Sequence, residues 1–121
     1  MYGNYEDVSV LVGKTLTQIE RKGDEELIFR TTDGESFKMY HEQDCCESVY
    51  IAEIIGELDD LVGSPITMAE EISEEGESEW GTATWTFYKF ATINGYVTVR
   101  WFGESNGYYS EEVNFLRMED E

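Results

Sequence analysis

The sequence predicts an α+β domain: antiparallel β-meanders of about six or seven strands, with one main α-helix packed on the sheet. Three observations predict it. Short runs of alternating apolar and polar residues lie on both sides of a central segment, turn dipeptides join those runs, and the hydrophobic period changes near Asp44.

The elements follow in chain order. "SVLVGKTLTQIE" alternates around Leu16 and Ile19, "RKGDEE" supplies a turn, and "LIFRTT" returns as the second strand of a hairpin. Asp33-Gly34 suits a tight turn into "ESFKMY", where Phe37 and Met39 alternate with Lys38 and Tyr40. Asp44 followed three residues later by Glu47 matches a capping box, which predicts a helix from Cys45. Val49, Ala52 and Ile55 would share its inner face, with Ile51 and Ile54 beside them and Gly56 ending or bending it. "ELDDLVGSP" could add a helical turn with Leu58, Leu61 and Val62 inward, closed by Gly63 before Pro65.

"PITMAEEIS" reads as a strand anchored by Ile66 and Met68, with Ile72 a further candidate anchor, and "EEGESEWG" as a charged loop, the leading candidate for disorder. Asn94-Gly95 and Asn106-Gly107 then mark two hairpins in a second meander. A turn at the first pair places Phe90 opposite Val99 and Tyr88 opposite Trp101, so Tyr88, Phe90, Val97, Val99 and Trp101 form a core face. Aligning Val99 with Val113, Val97 with Phe115 and Arg100 with Glu112 needs an extra residue, which predicts a bulge at Gly103. Trp85, Phe87, Tyr96 and Phe102 occupy the opposite face beside Lys89 and Arg100. They are a contact patch if no helix or first-meander strand covers them.

The 121 residues suit one domain spanning residues 1–121, and 40% hydrophobic with 14% aromatic residues is a folding composition. No apolar run reaches the length of a membrane span, and "MYGNYEDVSV" lacks the pattern of a signal peptide, so the expected location is cytoplasmic. The formal net charge is -19, and no Lys or Arg occurs from Met39 through Tyr88. Such a chain repels phosphates, which argues against direct nucleic-acid binding and favours a basic protein surface as partner. A charged coat that only keeps the domain soluble is the plainer alternative.

The lone histidine and both cysteines fall within "HEQDCCES". Adjacent cysteines form a disulfide only with strain, so two thiols are expected. His41, Asp44, Cys45 and Cys46 supply the soft and borderline donors that zinc prefers, and a helix start would lower the thiol pKa values. The spacing matches no common zinc pattern, and Asp44 is also the predicted cap, which leaves water, Glu42 or Glu47 to complete a shell. The alternative makes the cysteines small buried residues and His41 a satisfied strand-end side chain. No oxyanion-hole motif, phosphate loop or calcium-loop spacing is present in the sequence, so catalysis is not expected.

"LVGKTLTQIE", "YHEQDCCES", "GELDDLVGSPI" and "WFGESNGYYS" together resemble a family of small acidic domains carried by phages and prophages of Gram-positive bacteria. Some proteins of that kind resemble zinc-containing anti-CRISPR inhibitors of the type II Cas nuclease. The resemblance implies a stoichiometric inhibitor with a structural zinc, acting in the host bacterial cell. It would dock on a basic lobe of the nuclease and block loading of target DNA. The densest carboxylates available for that contact are Glu53, Glu57, Asp59 and Asp60, then Glu70, Glu71, Glu74 and Glu75. A small zinc-dependent enzyme and a phage structural domain are the competing readings.

Overall fold

Period-two alternation governs almost the whole chain. The structure is a computed structural model that describes residues 4–42, 47–77, 79, 81–106 and 111–118. Nine strands occur among them: β1 (Asn4–Tyr5), β2 (Leu16–Lys22), β3 (Glu26–Thr31), β4 (Ser36–Tyr40), β5 (Glu47–Ile55), β6 (Met68–Glu77), β7 (Thr82–Thr92), β8 (Gly95–Ser105) and β9 (Asn114–Met118). Two single 3₁₀ turns, Val8–Leu11 and Leu58–Leu61, are the helical elements among the described residues.

The strands form two antiparallel sheets, one in the order β1-β9-β4-β3-β2 and one in the order β5-β8-β7-β6. Leu27, Phe29, Phe37, Met39 and Phe115 of the first sheet share one buried core with Val49, Ile51, Tyr88, Phe90, Val97, Val99 and Trp101 of the second. The architecture is therefore a β-sandwich. Phe29 meets Phe90 across the gap with ring centroids 5.7 Å apart, and the Trp101 indole N–H donates to the Met39 sulfur at 3.2 Å. Phe37 and Phe115 stack within the first sheet at 5.5 Å.

The α+β expectation is overturned. The segment assigned to the main helix is β5, whose last eight residues include Val49, Tyr50, Ile51, Ile54 and Ile55, side chains that favour a pleated surface. Glu47, Val49 and Ile51 are buried in alternation with Ser48 and Tyr50. The pairing register with β8 then shifts between Ile51 and Glu53. The extra residue, Ala52, brings Ile54 back against the core. A bulge thus makes Ile51 and Ile54 recur at a spacing of three, which mimics a helical face.

The bulge expected at Gly103 is also absent, because β8 runs in continuous register there with both neighbours. β9 leaves that sheet and pairs with β4 and β1, so Val99, Val97 and Arg100 have no partners in it. Val99 lies opposite Tyr88 and Val97 opposite Phe90, two residues from the expected register. A shift of two preserves the face, and all five expected residues are buried. The β7–β8 loop is Ile93-Asn94, with Thr92 paired to Gly95 and no positive φ at Asn94. The first meander, β2-β3-β4, is present with its turn at Asp33-Gly34. Leu61 is buried and Leu58 and Val62 pack on the core as expected, although the turn is 3₁₀.

The segment expected to be a charged loop mostly extends β6 to Glu77. Single bridges from Val12, Thr15 and Leu16 to Ile66, Pro65 and Val62 stitch the two sheets at one corner. Gly56 makes the reversal out of β5 possible: its φ is +101°, and a Cβ there would lie 2.5 Å from the Tyr96 carbonyl oxygen. Gly56→Ala is expected to lower the unfolding free energy by roughly 2 kcal/mol or more in urea titration, because backbone strain and collision coincide. Gly34→Ala, at φ +85° with open space around it, should lose only about 1 kcal/mol.

Candidate functional site

The core face of β7 is aromatic up to Tyr88 and then becomes hydroxylic, with Thr86, Thr84 and Thr82 at the next inward positions. Register places Glu71 opposite Tyr88, Ser73 opposite Thr86 and Glu75 opposite Thr84. Across the gap, Glu111, Glu112 and Val113 precede β9. These three segments enclose a cavity of about 670 Å³, with four glutamates and no lysine or arginine among its described lining residues. It opens because the apolar alternation stops while the sheet continues.

Glu111 braces the cavity wall. Its carboxylate accepts from Thr84 Oγ1 at 2.7 Å, Ser105 Oγ at 2.6 Å and Thr82 Oγ1 at 2.5 Å. Burial by itself raises the Glu111 pKa, but donation by the three hydroxyls outweighs it and holds the carboxyl below its ordinary value. Glu71 shows the opposite balance: burial raises its pKa first, the charges of Asp7 and Glu112 add to the rise, and the Tyr88 hydroxyl offsets part of it. Asp7 sits beside this group as the cap of the first 3₁₀ turn, accepting from Ser9 N–H at 2.9 Å. Tyr88 is 1% exposed, and its hydroxyl makes no hydrogen bond of normal geometry. Its hydroxyl interacts with the Glu71 carboxylate across the β6–β7 ladder, and burial followed by the charges of Glu71, Asp7 and Glu112 pushes its pKa up.

Of the expected metal set, His41 is among the described residues. Asp44, Cys45 and Cys46 lie outside the described residues, and among the described residues no group of three His, Cys, Asp or Glu side chains is arranged to hold a metal. The His41 ring is 3% exposed and both of its nitrogens are engaged, Nδ1 with the Glu112 carbonyl oxygen at 2.7 Å and Nε2 with Glu47 Oε2 at 2.9 Å. An Nδ1–H donated to a carbonyl is the usual brace of a metal-bound imidazole. Here Nε2 faces a carboxylate instead, so in this geometry His41 ties β4, β5 and the approach to β9 together. A zinc ion on Nε2 would have to displace or recruit Glu47.

The eight carboxylates expected at a partner surface fall into three places. Glu57, Asp59 and Asp60 surround the second 3₁₀ turn, and Asp60 packs at the β7–β8 turn, where its carbonyl accepts from Thr92 Oγ1 at 2.5 Å. Glu53 pairs with Arg100 at 3.1 Å on the outer face of the four-stranded sheet. β6 separates the rest by alternation: Glu70 and Glu74 lie opposite Lys89 and Trp85 on the outer face, whereas Glu71 and Glu75 line the cavity.

No helix covers the outer face among the described residues. Tyr50, Phe102 and Trp85 form a row across β5, β8 and β7, with centroid separations of 5.9 and 4.3 Å, and the Arg100 guanidinium lies 5.1 Å from the Trp85 ring centre. Phe87 is half-buried and Tyr96 is 75% exposed. Sequence reasoning missed Glu111, Glu112, Asp7 and the threonines. The available signal was the alternation of Thr82, Thr84 and Thr86 in a strand whose later inward positions are aromatic.

Two stability changes of opposite sign test this electrostatic picture. Glu111→Ala should lower stability at neutral pH by roughly 1–3 kcal/mol, since three hydroxyls lose their acceptor. A depressed carboxyl pKa contributes stability above its unfolded value, so this difference should shrink as pH falls through the folded-state pKa of Glu111. Glu71→Gln should raise the melting temperature at neutral pH. A raised pKa means the ionised carboxylate opposes folding, so the gain should vanish once acid protonates wild-type Glu71.

No curated protein and no solved structure is similar. Residues 9–115 match the model of a domain of unknown function, DUF7448, and the chain belongs to that family.

Proposed function

We propose that this chain is a non-catalytic binding protein that docks on a cationic surface of a partner protein. The observation that supports this best is β6. It is an edge strand with five glutamates in ten residues, and none of the five forms an ion pair among the described residues. Packing so many like charges on one strand opposes folding, and a cationic partner would relieve that repulsion. Charge also discourages edge-to-edge aggregation, which accounts for glutamates on β6 without a partner. That account does not explain why Glu71 and Glu75 turn inward to a cavity.

The sequence resemblance supplies the first partner to test, the basic nucleic-acid-holding lobe of a type II Cas nuclease. Occupying that lobe would block target DNA, either sterically or by presenting carboxylates where phosphates lie. The nuclease and this chain, mixed at low ionic strength, should form a complex in which DNA cleavage falls in proportion to added chain. Affinity should weaken about tenfold or more on moving to physiological salt. Replacing Glu70 and Glu74 with Lys should weaken binding without unfolding the chain. Full cleavage at large excess across several such nucleases would defeat the nuclease assignment, and absence of capture by any basic protein would defeat the broader reading.

Zinc as a staple at His41, Asp44, Cys45 and Cys46 belongs to the same proposal and has its own readout. Elemental analysis of untagged protein should find about one zinc per chain, and Cys45→Ser or Cys46→Ser should release it and lower the melting temperature. Metal-free protein of equal stability would leave the His41–Glu47 contact as a purely structural tie.

A further inference from the structure

We propose that the outer face of the four-stranded sheet is the docking surface for the chain's partner, a basic protein surface with an apolar centre. The proposal rests on the reading of a cationic protein partner and names the face that receives it. Strand register assembles that face from distant segments. Tyr50 lies opposite Phe102, Phe102 opposite Trp85 and Trp85 opposite Glu74, so an aromatic row crosses β5, β8 and β7 and ends on a carboxylate of β6. In the next row Arg100, Phe87 and Ile72 extend the apolar strip along the sheet.

Alternation normally gives the solvent side of an antiparallel sheet to polar residues, and the other side of these strands already supplies the core. The outer aromatics are therefore surplus to the sandwich. Cross-strand pairing of rings stabilises a sheet by itself, which accounts for contacts such as Trp85 with Phe102 at 4.3 Å. It does not require Ile72 and Tyr96 to stand 41% and 75% exposed on the same face. Four strands about 4.8 Å apart, read over about nine residues of 3.4 Å rise, give a footprint of roughly 600 Å², the scale of one side of a small protein interface. Aromatic residues and arginine at the centre with charges at the rim is the composition of such an interface.

Charge identifies the occupant. Residues 14–38, which form β2, β3 and β4, carry five Lys or Arg against six Asp or Glu, whereas residues 47–105, which form the four-stranded sheet, carry two against twelve. The face itself sets Glu53, Glu70, Glu74 and Glu104 against Arg100 and Lys89. Arg100 is taken by Glu53 at 3.1 Å, while Glu70, Glu74 and Glu104 form no ion pair among the described residues. A second copy of the chain, a phosphate polymer or an anionic membrane would meet like charge here, and a basic protein surface is attracted. A bare polycation needs only the carboxylates. The aromatic strip selects a partner that brings apolar side chains of its own.

The test uses the full chain labelled with nitrogen-15 and two synthetic peptides of equal charge, one alternating arginine with leucine and the other arginine with serine. The leucine peptide should give saturable shifts concentrated at the amides of Tyr50, Trp85, Phe87, Arg100 and Phe102, and at physiological salt it should bind about tenfold tighter than the serine peptide. Trp85→Ser should abolish that preference and leave the affinity for the serine peptide unchanged. Ile72→Ser, at an exposed position on an edge strand, should reduce the preference without affecting the fold. Glu25→Gln, in the β2–β3 turn, should change neither affinity. Equal affinity for the two peptides, a preference that survives both serine variants, or shifts centred on Glu71, Glu75 and Glu112 would overturn this face while leaving the cationic reading in place. Dimerisation of the chain alone through the same residues would give the face to a second copy and overturn it as well. Where neither peptide binds, the cationic reading fails and the face fails with it.

Discussion

The contact between the two sheets, Phe29 against Phe90 and Trp101 against Met39, is the interaction on which the rest of the molecule depends. A chain with net charge -19 resists compaction at every point on its surface. Only burial of large apolar side chains offsets that resistance, and the sandwich concentrates them in one seam between two faces. Each strand must therefore hold its alternation faithfully. One slip in register would turn an aromatic residue outward and a glutamate inward.

The same constraint explains where the candidate site lies. Alternation is apolar through Phe90 and Tyr88, then continues through Thr86, Thr84 and Thr82 with the pleat unchanged and the chemistry reversed. A sheet that keeps its geometry but loses its apolar side chains cannot close against its partner, so it leaves a cleft lined with oxygen atoms. Glu111 keeps that cleft ordered through three hydroxyl donors, and Glu71 and Tyr88 carry its unresolved electrostatics. The like charges of Glu71, Glu75, Glu111 and Glu112 are in conflict with compaction there. On the outer face the conflict is milder, because Arg100 sits between Glu53 and Trp85 and serves both.

Most of β2, β3, β4, β7 and β8 was legible in the sequence, because alternation and the turn at Asp33-Gly34 are local signals. The core face of β7 and β8 was legible even though the register differed, since a slip of two residues conserves the face. β5 was misread for a physical reason: the bulge at Ala52 produces a spacing of three between Ile51 and Ile54 that a helix would also produce. Asp44 and Glu47 strengthened the misreading by matching a cap, yet Glu47 is buried against His41. At the candidate site, Glu71 and Glu75 were named among the surface acids, while Glu111, Glu112 and Asp7 were not, because they are far away in sequence and meet only through pairing of distant strands.

The sequence by itself determined the anionic character, the alternation of most strands and the turn at Asp33-Gly34, since composition and nearest-neighbour chemistry set them. Only the tertiary structure decided that β9 crosses to the first sheet and that β6 stands at an edge with its glutamates divided between two faces. The physical reason is that strand partnership is a competition between whole sheets for a shared core. In the first sheet Phe115 stacks on Phe37, meets Phe29 edge-on and lies opposite Met39, and no local pattern records those contacts.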